Sequence, residues 1–395
     1  MGHLRLVHGL RAVAALLVLL SHVGFWTGAT RIDFVGGLIA RGDAGVAVFF
    51  AISAFLLLRP AIRRGFEGND SKPDPGRYAA RRSARILPAY WLTLAAVLIA
   101  AASITGAGGL GGFSKVASNV LLLQGYTGDY YQSFTQTWSL TTEVTFYFFV
   151  PLLSLLLVRL ITRHDHVQAV RSVGRLFFGA ALVGLLAQAA ATSWTLAGST
   201  SGAGVLATSV LGHLAWFTAG AGVAFVVEAR NHGVGPLASE SLLAAVFQSR
   251  TTLVLGAVVV FSLASSPLAG PRDLTAPTIG QSVFKELAYA LFALLLLAAA
   301  ADEPKSGTSA NTVASSPVTK WLGDISYGIF LWHVLVLQLV FAASGATLFA
   351  TGFWWVLYAV LGFTIALASA SWILLERPIL KAVRNRTSHG SSAKA

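Results

Sequence analysis

Apolar residues run along this chain in blocks of about twenty, the length a helix needs to cross a bilayer. Arg, Lys, Asp, Asn, Gly and Pro collect between the blocks. The blocks predict ten transmembrane helices, at 6–27, 43–62, 86–105, 136–160, 174–195, 204–227, 251–267, 281–301, 321–342 and 353–375. The fold class that follows is all-α, a polytopic integral membrane helical bundle. Val13 to Val23 looks like the apolar stretch of a signal peptide. No small-residue cleavage motif follows His22, so this block is expected to stay as the first span. An even number of spans puts both termini on one side. Of the 28 Lys and Arg residues, only Arg31, Arg41, Lys115, Arg272 and Lys285 fall on the opposite side, so the positive-inside rule makes both termini cytoplasmic. The stretch from Arg63 to Arg85 reads as the most polar loop and Asp302 to Ser316 as a flexible linker. Residues 1–380 are expected to form one membrane domain, and 381–395 a basic, disordered cytoplasmic tail. No internal repeat is evident, which weakens a transporter built from inverted halves.

Composition sharpens this picture. Hydrophobic residues make up 55% of the chain, charged residues only 11%, and mean hydropathy is +0.70, whereas soluble domains carry about 25% charged residues. The chain has no cysteine, which excludes disulfides, thiolate metal sites and a thiol nucleophile. A net charge of +12 could point to nucleic acid, but the cations lie between apolar runs rather than on one polar face. Topology and lipid contact account for them, and no nucleic-acid partner is expected.

Ionisable residues inside spans are costly and are therefore functional candidates. In the first span Arg11 and His22 are eleven residues apart, which places both on one helix face about 16 Å apart along the axis. Arg11 either snorkels to the interface or serves a site, and His22 either makes a polar contact or acts chemically. Arg41 and Asp43 open the second span, where Gly45 would let helices approach closely. Asp43 either orients His22, as carboxylates orient histidines in hydrolases, or caps the helix. Arg81, Arg82 and Arg85 precede the third span, with Tyr90 and Trp91 following. The arginines are either a positive-inside anchor or a phosphate-binding group. Glu143 lies five residues beyond Trp138 in the fourth span and needs protonation, water or a partner, with His22, Arg41 and Lys115 as candidates. His333 sits mid-span in the ninth helix, and Glu376 with Arg377 reads as an interfacial ion pair at the end of the tenth.

The order of these motifs is more specific than any one of them. Arg-x10-His in the first span, Gly-Asp-x-Gly-Val-x-x-Phe-Phe-x-Ile-Ser in the second, Arg-x-x-Arg before the third, Trp-Ser-Leu-x-x-Glu opening the fourth and Ile-Ser-Tyr-Gly-Ile-x-Leu-Trp-His in the ninth resemble the acyltransferase family 3 proteins, membrane O-acyltransferases of cell-envelope glycans, lipids and small hydroxylated products. The resemblance covers nearly the whole chain. Ala54 stands where the family often has glycine, and a Tyr before the final Glu-x-Pro has no clear counterpart.

The resemblance implies a multi-pass plasma-membrane enzyme that moves an acyl group, acetyl by default, from cytoplasmic acyl-CoA to a hydroxyl of a glycan, glycolipid or other small acceptor. His22 and Arg11 become the catalytic pair, with His22 as general base and Glu143 or Asp43 orienting it or binding the acceptor. Arg82 and Arg85 would hold the acyl-CoA head group, with Arg81 and Tyr90 beside them. Trp138, His333 and Ser53 are the expected substrate contacts. No permanently bound cofactor and no metal is expected. The rival reading is a secondary transporter or flippase that uses the same buried Arg, His and Glu residues as a substrate or proton pathway.

Overall fold

The computed structural model describes residues 4–31, 33–69, 74–104, 108–234, 249–302 and 307–392, without the side chains of Thr200 and of 386–392. Lys72, Lys305 and Lys394, counted above among the inside charges, lie outside the described residues. Helices make up all the regular structure among the described residues. In chain order they are α1 (Arg5–Thr27), α2 (Asp33–Ala40), α3 (Gly45–Phe66), α4 (Pro75–Ser103), α5 (Phe113–Val120), α6 (Gln124–Thr127), α7 (Trp138–Thr162), α8 (His166–Leu196), α9 (Thr200–Thr208), α10 (Leu214–Asn231), α11 (Arg250–Ala264), α12 (Ile279–Ala300), α13 (Ser309–Ser315), α14 (Pro317–Ser344), α15 (Phe353–Ser371) and α16 (Arg377–Ser392), with a turn of π-helix over Trp372–Glu376.

Eight helical stretches among the described residues are long and apolar enough to cross a membrane. The two other expected spans correspond to shorter helices, α10 of 18 residues and α11 of 15. The block 204–227 is not one helix: it breaks after α9, and the chain turns through Ser209 to Gly212 before α10 begins. A side chain at Gly212 would strike the carbonyls of Leu206 and Ala207. The break leaves His213 just ahead of the first turn of α10. The polar stretch 63–85 is also less of a loop than expected. Asp74 caps α4 by accepting from the Gly76 and Arg77 amides, and Pro75 fits the first helical position, so the helix begins well before the apolar block does. Likewise α13 lies within the linker 302–316, and the tail expected to be disordered is helical as far as Ser392.

The centre of the bundle is α3, which packs against α1, α7, α10 and α12, while α1 also lies along α14. Such contact needs small residues. A side-chain carbon on Gly45 or Gly42 would collide with the carbonyls of Ala14 and Leu17 in α1, and one on Gly220 with that of Ala51, so these glycines set how near the backbones come. Ionic and polar ties then mark the two ends of the bundle. At one end Arg59 (2.5 Å) and Arg63 (3.0 Å) bind the buried Glu228 of α10, and Arg250 of α11 donates to the Ala299 carbonyl of α12 at 2.8 Å. At the other end the buried Arg41 donates to the carbonyls of Ala264 (3.1 Å), Ala269 (3.0 Å), Gly270 (2.6 Å) and Pro271 (3.3 Å). Short as it is, α11 therefore touches the same two layers as its longer neighbours.

Candidate active site

α1 supplies both ends of the site. Arg11 and His22 project from one stripe of the helix, and each enters a different cavity. The cavity around Arg11 is narrow, about 80 Å³, and is lined also by Arg82 and Arg85 of α4, Ser53 of α3, Glu143 and Tyr147 of α7, and Tyr327 of α14. Arg82 lies over the Tyr147 ring at 5.5 Å and Arg85 over Tyr327 and Trp372 at 6.0 Å each. Among the described residues none of these three guanidinium groups forms an ion pair. Glu143 accepts from the Ser53 hydroxyl and from the Tyr147 hydroxyl at 2.7 Å, with Arg11 as its nearby cation. Glu143 is the one carboxylate among the chamber's lining residues, and with Glu376 close behind Arg85 and Arg11 the three guanidinium groups still leave positive charge in excess, as suits an anion. Glu143 was expected to pair with His22, Arg41 or Lys115. It meets none of them, because α7 brings it to the opposite end of α1 from His22, Arg41 is spent on carbonyls, and Lys115 lies over Tyr131 at 4.7 Å.

The cavity around His22 is larger, about 550 Å³, and contains Asp43, Gln136, Trp138, Gln188, Thr192, His213, Trp216, Lys285, Glu286 and Tyr289 among its lining residues. A third cavity of about 640 Å³ shares His22, Arg41, Asp43, Asp273 and Lys285 with it and extends past Trp26, Gln132 and Phe349. Val46 and Phe330 line both the arginine chamber and the histidine chamber and stand between them. Asp273, fully exposed at the rim, is held below the ordinary carboxylate range by hydrogen bonds from Thr275, so it stays ionised there.

His22 hydrogen-bonds neither expected carboxylate. Its Nδ1 faces the Val18 carbonyl at 3.0 Å and His333 Nε2 at 3.3 Å. Asp43 instead pairs with Lys285 at 2.8 Å and accepts from the Tyr289 hydroxyl, and no side chain caps the start of α3. A cation one helix away holds this carboxylate more strongly than a neutral imidazole could, which leaves it a wall of the chamber and not the orienter of His22. His333 is wholly buried behind His22. It touches a catalytic candidate and lines none of the three chambers, so it is not the substrate contact expected of it.

Trp138 and Ser53 do face chambers, the first on the histidine side and the second on the arginine side. Arg81 is exposed and does not line the arginine chamber. Tyr90 is fully buried elsewhere: its hydroxyl donates to the Asn119 carbonyl at 2.6 Å and accepts from Gln124 at 3.3 Å, tying the short helices α5 and α6 to α4. Its expected place beside the donor is corrected accordingly. Glu376 turns inward and not toward Arg377. The π-turn buries it, Ser371 donates to it at 3.1 Å, and Arg85 and Arg11 are its nearby cations.

Sequence reasoning missed the far wall of the histidine chamber. His213 Nδ1 lies 3.2 Å from Glu286, and its ring stacks on Trp216 at 3.9 Å and tilts against Trp138 at 5.2 Å. The second Glu286 oxygen is buried and has no partner. The adjacent Lys285 and Glu286 inside the block 281–301 were the available signal, since charge within a span is costly unless it serves a site. Among the described residues no group of three or more His, Cys, Asp or Glu side chains is placed to hold a metal ion.

These features define a multi-pass membrane protein with two unlike chambers, one toward each end of α1. A family model described as "Acyltransferase domain" matches residues 6–374. The chain therefore belongs to the acyltransferase 3 family and is a membrane acyltransferase. It is 25% identical over 411 residues to Nodulation protein 10 of Rhizobium leguminosarum bv. viciae, a match covering 96% of this chain and 94% of that protein. No solved structure matches it.

Proposed function

We propose that the protein moves an acyl group, acetyl by default, from cytoplasmic acyl-CoA to a hydroxyl of a carbohydrate, glycolipid or other small acceptor. The supporting observation is that one helix presents Arg11 to a cation-rich chamber and His22 to a wide chamber of mixed lining, with Val46 and Phe330 lining both. Arg82 and Arg85 take the anionic head of acyl-CoA, and the pantetheine arm passes Arg11 toward His22. The acceptor occupies the histidine chamber, where Lys285, Thr192 and the edges of Trp138, Gln136 and His213 offer hydrogen bonds and apolar faces. His22 takes the hydroxyl proton as the acceptor oxygen attacks the thioester carbon. The carbon–sulfur bond then breaks and the proton returns to the departing CoA sulfur. Transfer is direct, since the chain has no cysteine and Ser53 is engaged with Glu143. The excess of Lys and Arg at the arginine end supports placing that end, and both termini with it, in the cytosol.

The test is transfer of radiolabel from acetyl-CoA by purified protein in lipid nanodiscs, with envelope glycan extract as acceptor. Label reaching hydroxyl-bearing material, and its loss in His22→Ala and Arg11→Ala, is the expected outcome. Full activity in His22→Ala sinks the base assignment. Uptake into proteoliposomes without acyl transfer favours the transporter.

A further inference from the structure

We propose that His333 is a positioning residue that fixes the proton of His22 on Nδ1 and thereby leaves the Nε2 lone pair facing the chambers. This rests on the base role proposed for His22. The two histidines, 311 positions apart, use the same local device. Each points its Nδ1 at the carbonyl four residues earlier in its own helix, His22 at Val18 (3.0 Å) and His333 at Ile329 (3.1 Å). A carbonyl oxygen can only accept, so each Nδ1 must carry the hydrogen. His333 Nε2 is then a bare lone pair, and it lies 3.3 Å from His22 Nδ1, whose hydrogen it shares with Val18. The rings meet edge to face, 5.0 Å between centroids and 63° between planes. The remaining nitrogen, His22 Nε2, has no partner among the described residues, and His22 lines both wide chambers.

The opposite arrangement shows what the pair prevents. A hydrogen on His333 Nε2 would face the hydrogen on His22 Nδ1, and relief would come by moving the His22 proton to Nε2, which abolishes the base. During transfer Nε2 gains the acceptor proton and later returns it to sulfur. Meanwhile the positive charge on the His22 ring is shared through Nδ1–H with the His333 lone pair. His333 itself neither gains nor loses a proton. Hydrolases give this task to a carboxylate. At this depth an ionised partner would carry a large desolvation cost, whereas a neutral imidazole does the orienting without it.

Two variants separate orientation from packing. His333→Phe keeps a ring but offers no acceptor, while His333→Gln places an amide oxygen near the position of Nε2. The first readout is nitrogen NMR of histidine-labelled protein in nanodiscs. The second is CoA release from acetyl-CoA, with water as acceptor, followed by a thiol-reactive dye that meets no cysteine in this chain. In the native protein His22 should show a protonated Nδ1 and a bare Nε2. His333→Phe should lower kcat by about 10- to 100-fold, the range seen when metal-bound histidines lose an outer partner, and raise the share of His22 protonated on Nε2, which the Val18 carbonyl alone then opposes. KM for acetyl-CoA should stay within about twofold, because the donor contacts are elsewhere. His333→Gln should restore most of both kcat and tautomer. A protonated Nε2 in native His22, or an unchanged tautomer in His333→Phe, overturns the proposal whatever the rate. Full activity in His22→Ala would instead remove the base reading, while the NMR result would still decide the orientation.

Discussion

Arg11 looks into about 80 Å³ ringed by guanidinium groups, whereas His22, three turns along the same helix, looks into about 550 Å³ of mixed aromatic, amide, hydroxyl and carboxylate lining. The first chamber is built by charge and leaves little room. The second is built by volume, and its buried charges are already partnered, Arg41 by backbone carbonyls, Asp43 by Lys285 and Glu286 by His213, with Asp273 at its exposed rim. A narrow excess of positive charge recognises a group that is the same in every donor, such as a phosphate. A roomy cavity of balanced charge discriminates by shape and by hydrogen bonds, as ligand pockets of this size generally do. In the proposed mechanism the difference separates a fixed donor from an acceptor that sets specificity, with α1 carrying the chemistry between them.

Substitutions should divide along the same line. The largest effect is expected for His22→Ala, which should cut acyl transfer by about 10²- to 10⁴-fold, the range for loss of a general base, with acetyl-CoA binding retained in a filter assay. Next, replacing Arg82 and Arg85 together by Ala should raise KM for acetyl-CoA by about 10²- to 10⁴-fold, since two charge-assisted bonds to an anion together contribute roughly 3–6 kcal/mol. The same pair of changes should flatten the salt dependence of KM and leave acceptor KM alone. Glu286→Gln should act in mirror image, raising acceptor KM by about tenfold, within the range for one lost polar contact, and leaving donor KM unchanged. Smaller still, Gly45→Ala should cost about 1–3 kcal/mol of stability by forcing α1 from α3, read as a lower thermal unfolding midpoint in detergent. A donor KM that responds to Glu286, or an acceptor KM that responds to Arg82 and Arg85, would erase the distinction between the chambers.

Much of this was legible in the sequence because a bilayer imposes a length on every crossing. Eight of the ten apolar blocks became helices of spanning length, and the pairing of Arg11 with His22 along one face followed from helix geometry alone. The arginine chamber was foreseen in part, because Arg82 and Arg85 lie one helical turn apart and the family resemblance set them apart from a plain positive-inside anchor. The histidine chamber was not. Its contacts join residues far apart in the chain, His22 with His333, Asp43 with Lys285 across 242 positions and His213 with Glu286 across 73. Periodicity says which face of a helix is polar but not which helix that face meets. The turn from Ser209 to Gly212 was hidden for a different reason: its residues are apolar enough to pass as the middle of a span, and only the collision at Gly212 reveals it.

The central claim is that a donor held at the arginine end delivers its thioester past Val46 and Phe330 to His22. A structure with a non-hydrolysable acetyl-CoA analogue bound tests it directly. The account predicts phosphates on Arg82 and Arg85, the arm beside Arg11, and the thioester analogue within reach of His22 Nε2. An analogue entering instead by the mouth at Asp273 and Phe349, with its phosphates remote from Arg82 and Arg85, would contradict it.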